Sequence, residues 1–221
     1  RLRILHLSDL HFLRNDWWAR NIVNRLKDVR CDLLLITGDL IHRGLKVDEV
    51  EALLAQLPQA TYGRYVAAGN WDRWSGLDFP EFEDLVASAG FELLINEFRL
   101  LAIPRRKVAL VGVDDLLSGH PEVGVLNEVP DGYSKLVMSH TPTLFASLAM
   151  HGADLVLAGH THGGQIRAPI KGAVWMPVGS GQFDAGWFTA GRSKMFVSRG
   201  IGMSVAPLRF LCRPEAALIT V

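Results

Sequence analysis

Polar and apolar positions along the chain follow two rhythms. Residues 2–7 form a short apolar run that ends in Ser8-Asp9, the pattern of a strand meeting a loop. Asn15 or Asp16 can cap a helix that carries Trp18, Ile22, Leu26 and Val29 on one face. Residues 32–37 (DLLLIT) form a continuous apolar run, as expected of a strand buried on both faces, and end in Gly38-Asp39. Val47, Val50, Leu54 and Leu57 make the next helical stripe, which Pro58 stops. Residues 65–68 read as a third strand, ending in Gly69-Asn70. Pro80 opens a helix through Ala89, with Gly90 where a C-terminal cap glycine belongs.

The rhythm then changes. Residues 92–95, 98–103 and 108–113 are strand candidates with short connections and no helix between them, which predicts an antiparallel meander. Residues 135–139 form another strand, followed by a helix opened by Pro142. Residues 154–158 end in Gly159-His160, and residues 173–177, 195–198, 208–211 and 217–221 are strand-like. No internal repeat or low-complexity linker is present. The expectation is a single α/β domain over residues 1–221, two sheets flanked by helices.

Composition narrows the class. A chain of 221 residues can bury about 70 % of its surface, enough for one sizeable core. Apolar residues at 49 % and charged residues at 21 % exclude disorder, collagen and a coiled coil. Lys and Arg total 23 and Asp and Glu total 23, so a global positive field for nucleic acid is absent and such a partner is disfavoured. No apolar run approaches the ~20 residues of a membrane helix. The chain enters a strand pattern at once, with no signal peptide, so the expected location is cytoplasmic or membrane-peripheral, with room for an anchor upstream. Cys31 and Cys212 lie far apart among apolar neighbours and read as two buried free thiols.

Five strand ends carry candidate metal ligands: Asp9-Leu10-His11, Gly38-Asp39, Gly69-Asn70, Ser139-His140 and Gly159-His160-Thr161-His162. Asp and His at i, i+2 can converge on one ion, and α/β sheets place their sites at strand C-termini. The flanking glycines allow sharp turns and leave room for a substrate.

On these motifs the chain resembles the calcineurin-like metallophosphoesterases, whose pattern is D-x-H, G-D, G-N-H, H and G-H-x-H. Gly163-Gly164-Gln165-Ile166, residues 197–202 and Pro207-Leu208-Arg209-Phe210 resemble a bacterial envelope-associated branch. The resemblance implies a four-layer α/β/β/α sandwich of two mixed sheets and two divalent metals. Asp9, His11, Asp39 and His162 would hold one ion; Asp39, Asn70, His140 and His160 would hold the other. Such donors suit Mn²⁺ first, with Fe or Zn²⁺ as alternatives. Two ions sharing a ligand lower the pKa of a common water, which makes a bridging hydroxide the expected nucleophile.

Two departures stand out. Trp71 occupies the place of the family's usual His, and His42 the place of the Asp that pairs with that His in the phosphatases. Indole cannot protonate a leaving oxygen near neutrality. Either His42 supplies the proton or the substrate needs none, as with a phosphate leaving group. Arg43 matches an arginine that contacts phosphate in the phosphatases. Trp71 and Trp74 form a candidate wall for a lipid or a base, and Trp17 and Trp18 a loop able to reach the cleft or a membrane. The expected activity is hydrolysis of a phosphodiester or pyrophosphate bond in a phosphorylated small molecule or a lipid- or nucleotide-linked substrate such as a UDP-diacylglucosamine, with peripheral membrane contact. The alternatives are a non-catalytic interaction module of the same fold and a phosphoprotein phosphatase. Oligomeric state is not legible.

Overall fold

Every residue of the strand at Leu33–Thr37 is buried, and its alternation determines the architecture. Leu33 and Leu35 join one apolar cluster, Leu34 and Ile36 another. A strand apolar on both faces must be covered on both sides. The computed structural model describes residues 1–12 and 17–221, so the expected cap at Asn15 or Asp16 lies outside the described residues.

The first sheet contains β1 (Arg3–Leu7), β2 (Leu33–Thr37), β3 (Arg64–Ala67), β4 (Glu92–Leu93) and β13 (Ala217–Thr220), in the order β13-β1-β2-β3-β4. Only β13 runs antiparallel to its neighbour. The second contains β5 (Glu97–Leu101), β6 (Val108–Gly112), β7 (Ser134–Met138), β8 (Leu155–Ala158), β11 (Gly186–Ala190) and β12 (Ser193–Val197), in the order β11-β12-β8-β7-β6-β5. Its inner strands are parallel and both edge strands antiparallel. A separate two-stranded hairpin joins β9 (Arg167–Ala168) to β10 (Gly172–Ala173).

The helices are α1 (Trp17–Leu26), α2 (Val47–Ala55), α3 (Asn70–Trp74), α4 (Phe79–Ser88) and α5 (Phe145–Met150). Val23, Leu54 and Phe82 from α1, α2 and α4 pack on Leu34, Ile36 and Val66 of the first sheet. Between the sheets, Ile4, Leu33 and Leu35 meet Leu110, Leu136, Met138 and Leu157. On the far side, Phe145 and Leu148 of α5, with Val125 and Leu126, cover Val111, Val137 and Val156. These three cores separate the four layers of an α/β/β/α sandwich. Among the described residues no helix is long and apolar enough to cross a membrane.

Several elements differ from the sequence reading. The meander is split: β4 pairs parallel to β3 in the first sheet, and the chain crosses to the second before β5 and β6 pair antiparallel. Short connections look the same whether they form a hairpin or step between stacked sheets. In residues 208–211, Leu208, Phe210 and Leu211 are exposed and, among the described residues, the Ile166–Phe210 bridge is the one strand-like pairing, so their apolarity is that of a surface and not of a strand. The strand expected at 173–177 is reduced to Gly172–Ala173. Strand β11 gave no clear signal because its residues, GWFTA, are alternately exposed at a sheet edge.

Candidate metal centre

Parallel pairing brings the C-terminal ends of β1, β2 and β3 to one edge, and those of β7 and β8 to the same edge of the second sheet. The loops leaving these strands are laced together. Asp9 N–H donates to Gly38 O at 3.0 Å and His11 N–H to Asp39 O at 2.9 Å. The buried Asp72 carboxylate accepts the N–H groups of Leu40 (2.8 Å), Ile41 (3.1 Å) and Gly69 (2.8 Å), which ties the loop after β2 to the start of α3.

The backbone is held in a costly shape here. Asp9, His11, Asp39, His160 and His162 all have φ between 49° and 70°. Each such residue costs about 1–3 kcal/mol, a strain typical of functional sites. Two glycines permit the close approach. A Cβ on Gly38 would lie 2.5 Å from His140 Nδ1, and one on Gly159 would lie 2.7 Å from Asp9 Oδ2 and overlap Ser8 Oγ.

Two groups of donors result. Asp9, His11, Asp39 and His162 each offer an atom within 4.8 Å of the others, and so do Asp39, His140 and His160. In the first group His11 Nε2 is 3.0 Å from His162 Nε2 and 3.7 Å from Asp39 Oδ2, and His162 Nε2 is 3.5 Å from Asp9 Oδ1. In the second, His140 Nε2 is 3.4 Å from Asp39 Oδ1 and 3.2 Å from His160 Nδ1. Asn70 Oδ1 joins it, 3.2 Å from His140 Nε2 and 3.0 Å from His160 Nδ1. Asp39 is common to both groups. Each group draws on both sheets: Asp9, His11, Asp39 and Asn70 follow first-sheet strands, and His140, His160 and His162 follow second-sheet strands.

Outer contacts aim the imidazoles. A carbonyl can only accept, so His140 Nδ1–H donates to Thr37 O at 2.8 Å and leaves Nε2 bare. Likewise His160 Nε2–H donates to Val178 O at 2.7 Å and leaves Nδ1 bare. His140 Nε2, His160 Nδ1 and Asn70 Oδ1 then face one another at 3.0–3.2 Å, an arrangement that needs a proton or a metal cation among them. Burial pushes the Asp9 carboxyl up to about 7 and His11 down to about 4. Burial, then neighbouring His11, holds His162 well below the usual imidazole range. Burial opposes charge on Asp39 and His140 too, but their mutual attraction prevails, drawing Asp39 down and His140 up. This chemistry fits divalent cations. Ligand bonds of about 2.1 Å at right angles place donors about 3 Å apart, close to the separations seen.

Two clefts flank the donors. One, about 390 Å³, is lined by His11, Phe12, Trp18, His42 and Met203; the other, about 290 Å³, by Asp39, Asn70, Trp71, Trp74, His160 and Trp175. A larger cavity, about 1080 Å³, opens at the N-terminal ends of the strands and contains none of the candidate ligands. His42 and Trp71 come together, their rings stacked at 4.3 Å, and both face His11, with centroids 5.5 and 5.9 Å away. Arg43 is exposed, lines neither cleft, and donates from Nε to Trp74 O at 3.1 Å. Trp17 and Trp18 open α1; Trp17 is exposed and only Trp18 reaches a cleft.

Sequence reasoning assigned no part to Arg209. Its guanidinium donates to Gly202 O and to Arg199 O (2.9 Å) and lies 3.3 Å from His162 Nδ1, so it joins the loop after β12 to a ligand loop. Its one signal was the Pro207–Phe210 stretch. Asp72, next to Trp71 in the chain, carries no signal of its own in the sequence; its carboxylate serves the backbone.

Comparison with known proteins gives matches in family and in fold. Residues 2–164 match the family model of calcineurin-like phosphoesterases. The phosphodiesterase YaeI of Escherichia coli K12 is 31 % identical over 227 residues, covering 98 % of this chain and 81 % of that protein. The uncharacterised metallophosphoesterase YkuE of Bacillus subtilis 168 is 29 % identical over 219 residues, covering 97 % and 75 %. In fold, the chain is similar to the crystal structure of TT1561 from Thermus thermophilus, with a TM-score of 0.57, 18 % identity and coverage of 90 % and 89 %.

Proposed function

Because the chain belongs to the calcineurin-like phosphoesterase family, we propose that it is a dinuclear metal-dependent phosphodiesterase or pyrophosphatase. One observation carries the reading: Asp39 belongs to both donor groups, as a ligand shared by two ions must. Asp9, His11, Asp39 and His162 would hold the first ion, and Asp39, Asn70, His140 and His160 the second. Carboxylate, amide and imidazole donors, with no thiolate among them, favour Mn²⁺, with Fe or Zn²⁺ as alternatives. When bound, two such ions supply Lewis acidity toward a phosphoryl group and acidify an attacking water.

The chain's own residues do the rest. Thr37 O and Val178 O fix the ring orientation of His140 and His160, and Asp72 sets the two loops that present Asp39 and Asn70. Trp71, with Trp74 and Trp175, gives the smaller cleft an apolar wall suited to a lipid chain or a base beside the phosphate. His42 stacks on Trp71 at the His11 side and donates a proton to poor leaving groups. The family resemblance, the name of the YaeI relative and Trp71 in place of the usual acid all support a diester over a phosphoprotein substrate.

A panel of alkyl monoesters, aryl diesters and UDP-linked lipids, assayed with Mn²⁺, tests the proposal. Diesters with acidic leaving groups should react much faster than alkyl monoesters. His42→Ala should slow poor leaving groups far more than good ones and leave metal content intact. Rates that ignore leaving-group acidity would sink the diester reading. A purified chain that retains no metal and gains no activity from it would establish an interaction module instead.

A further inference from the structure

The rim of the metal cleft is apolar where it meets water. Two segments form it. One is the β9–β10 hairpin and the chain that follows, residues 166–178; the other is the loop at residues 203–213. They are spliced by backbone bonds from Arg167 N to Phe210 O and from Phe210 N to Gln165 O, both 2.9 Å. The Gln165 side chain adds a bond from Nε2 to Ser204 O at 2.9 Å and accepts Ser204 N–H at 2.6 Å. The pair therefore forms one continuous surface.

Its outward side chains are Ile170, Val174 and Trp175 on the hairpin and Val205, Leu208 and Phe210 on the loop, all exposed. Ile170 sits fully exposed at the tip, with φ of 71°. A β-branched residue is strained in that region, where glycine or asparagine would sit freely. Strain and exposure together give folding no benefit. Trp175 and Val205 also line the smaller cleft beside Asp39 and His160, so the rim is continuous with the metal site.

Charge selects the partner. The two segments contain Arg167, Lys171, Arg209 and Arg213 and no acidic residue of their own, but Arg167 is paired with Asp184 at 2.8 Å and Arg209 donates to backbone carbonyls. Lys171 and Arg213 are exposed. Apolar side chains projecting from turns, an indole at the rim and the two exposed cations Lys171 and Arg213 suit a headgroup layer of negative charge. We propose that this rim docks the mouth of the metal site onto an anionic phospholipid bilayer. The inference rests on the phosphodiesterase reading and deepens it. A lipid-linked phosphate enters the cleft at headgroup level, and its acyl chains stay in the bilayer.

Cosedimentation of the Mn²⁺-loaded chain with phosphatidylcholine–phosphatidylglycerol vesicles, against pure phosphatidylcholine vesicles, tests the docking. The chain should sediment with the anionic vesicles, less so as salt is raised. Lys171→Glu with Arg213→Glu should weaken partitioning by at least about fivefold per cation lost. Ile170→Glu with Leu208→Glu should weaken it by at least about tenfold. Met150→Glu, an exposed apolar position on α5, should leave it unchanged. Every variant should cleave a water-soluble aryl phosphodiester at the parent rate, which separates a failure of docking from a failure of the esterase reading. No sedimentation with anionic vesicles, or equal sedimentation of parent and Ile170→Glu/Leu208→Glu, overturns the proposal. A concentration-dependent dimer abolished by the same variants, with no vesicle binding, assigns the rim to a second copy and overturns it as well.

Discussion

Substituting Asn for Asp39 should unload one ion more than the other, and the structure says which. Asp39 Oδ1 accepts the Trp71 N–H at 2.8 Å and lies 3.4 Å from His140 Nε2, whereas Oδ2 faces His11 Nε2 at 3.7 Å. In Asp39→Asn the Trp71 N–H orients the new amide. Its oxygen takes the Oδ1 place, and its NH₂ turns toward His11. An oxygen remains for the Asn70–His140–His160 side, but an N–H replaces a ligand on the Asp9–His11–His162 side. Outer partners of metal ligands are worth about 10- to 100-fold in affinity. Losing an inner oxygen therefore sets a floor of about 100-fold on the His11 side, or about 2.8 kcal/mol. The other side loses charge but keeps its oxygen, so its loss is on the order of tenfold. Mass-spectrometric metal analysis after dialysis against limiting Mn²⁺ should find one ion per chain instead of two. Diester turnover should fall by more than about 100-fold with it. Adding His11→Ala to Asp39→Asn should remove no further ion, and adding His160→Ala should remove the one that remains. Two ions retained with parent turnover, or the opposite pattern in the double variants, would refute the shared-ligand geometry.

Two other perturbations probe the support of the site. Asp72→Ala leaves three backbone N–H groups without their charged acceptor, at about 1.5–3 kcal/mol each. A total near ~5 kcal/mol corresponds to a melting temperature lower by about 10 °C for a chain of this size. Calorimetry of chelator-treated protein should show it above about pH 7, where Asp72, held up to about 7 by burial and then by Asp39, is ionised. An unshifted melt would remove Asp72 from the clamp. The second perturbation is pH. Asp9 is held up to about 7, so uptake of the ion on the Asp9–His11–His162 side expels its proton, and affinity there should rise by at most about tenfold per pH unit up to that point, then level off, whereas the His140 side, whose imidazole is drawn up by Asp39, should go on gaining affinity above it. His11, held down to about 4, is already neutral over that range and adds no slope. Without metal the sign reverses: the folded chain binds the Asp9 proton more tightly than the unfolded one, so stability falls as pH rises through about 7. Mn²⁺ titrations and melts of stripped protein check both, and a pH-flat affinity would contradict the first.

The legible parts of the chain were those whose signal is local. Residues 32–37 showed a doubly buried strand because nothing else makes so unbroken an apolar run. The ligand motifs were readable because each follows such a strand within a few residues. What escaped depends on tertiary context. Helix α3 spans only Asn70–Trp74, too short for a period of 3.6 to register. The chain passes between sheets near Asn96, whose φ of 52° marks the turn, but no residue pattern distinguishes that step from a hairpin. Residues 208–211 misled because exposed and buried apolar runs are spelled alike. Arg209 and Asp72 act on backbone atoms of distant loops, and such contacts leave no periodic trace.

The derivation of each donor group from both sheets bears on how such a centre can be inherited. Residues up to the crossing at Asn96 provide Asp9, His11, Asp39 and Asn70, and residues beyond it provide His140, His160 and His162. Neither half of the chain carries a complete donor set. The centre therefore cannot move to another protein with one sheet alone, nor survive in a duplicated half. It is heritable only as a closed sandwich, whereas the hairpin and loop at the rim supply no donor.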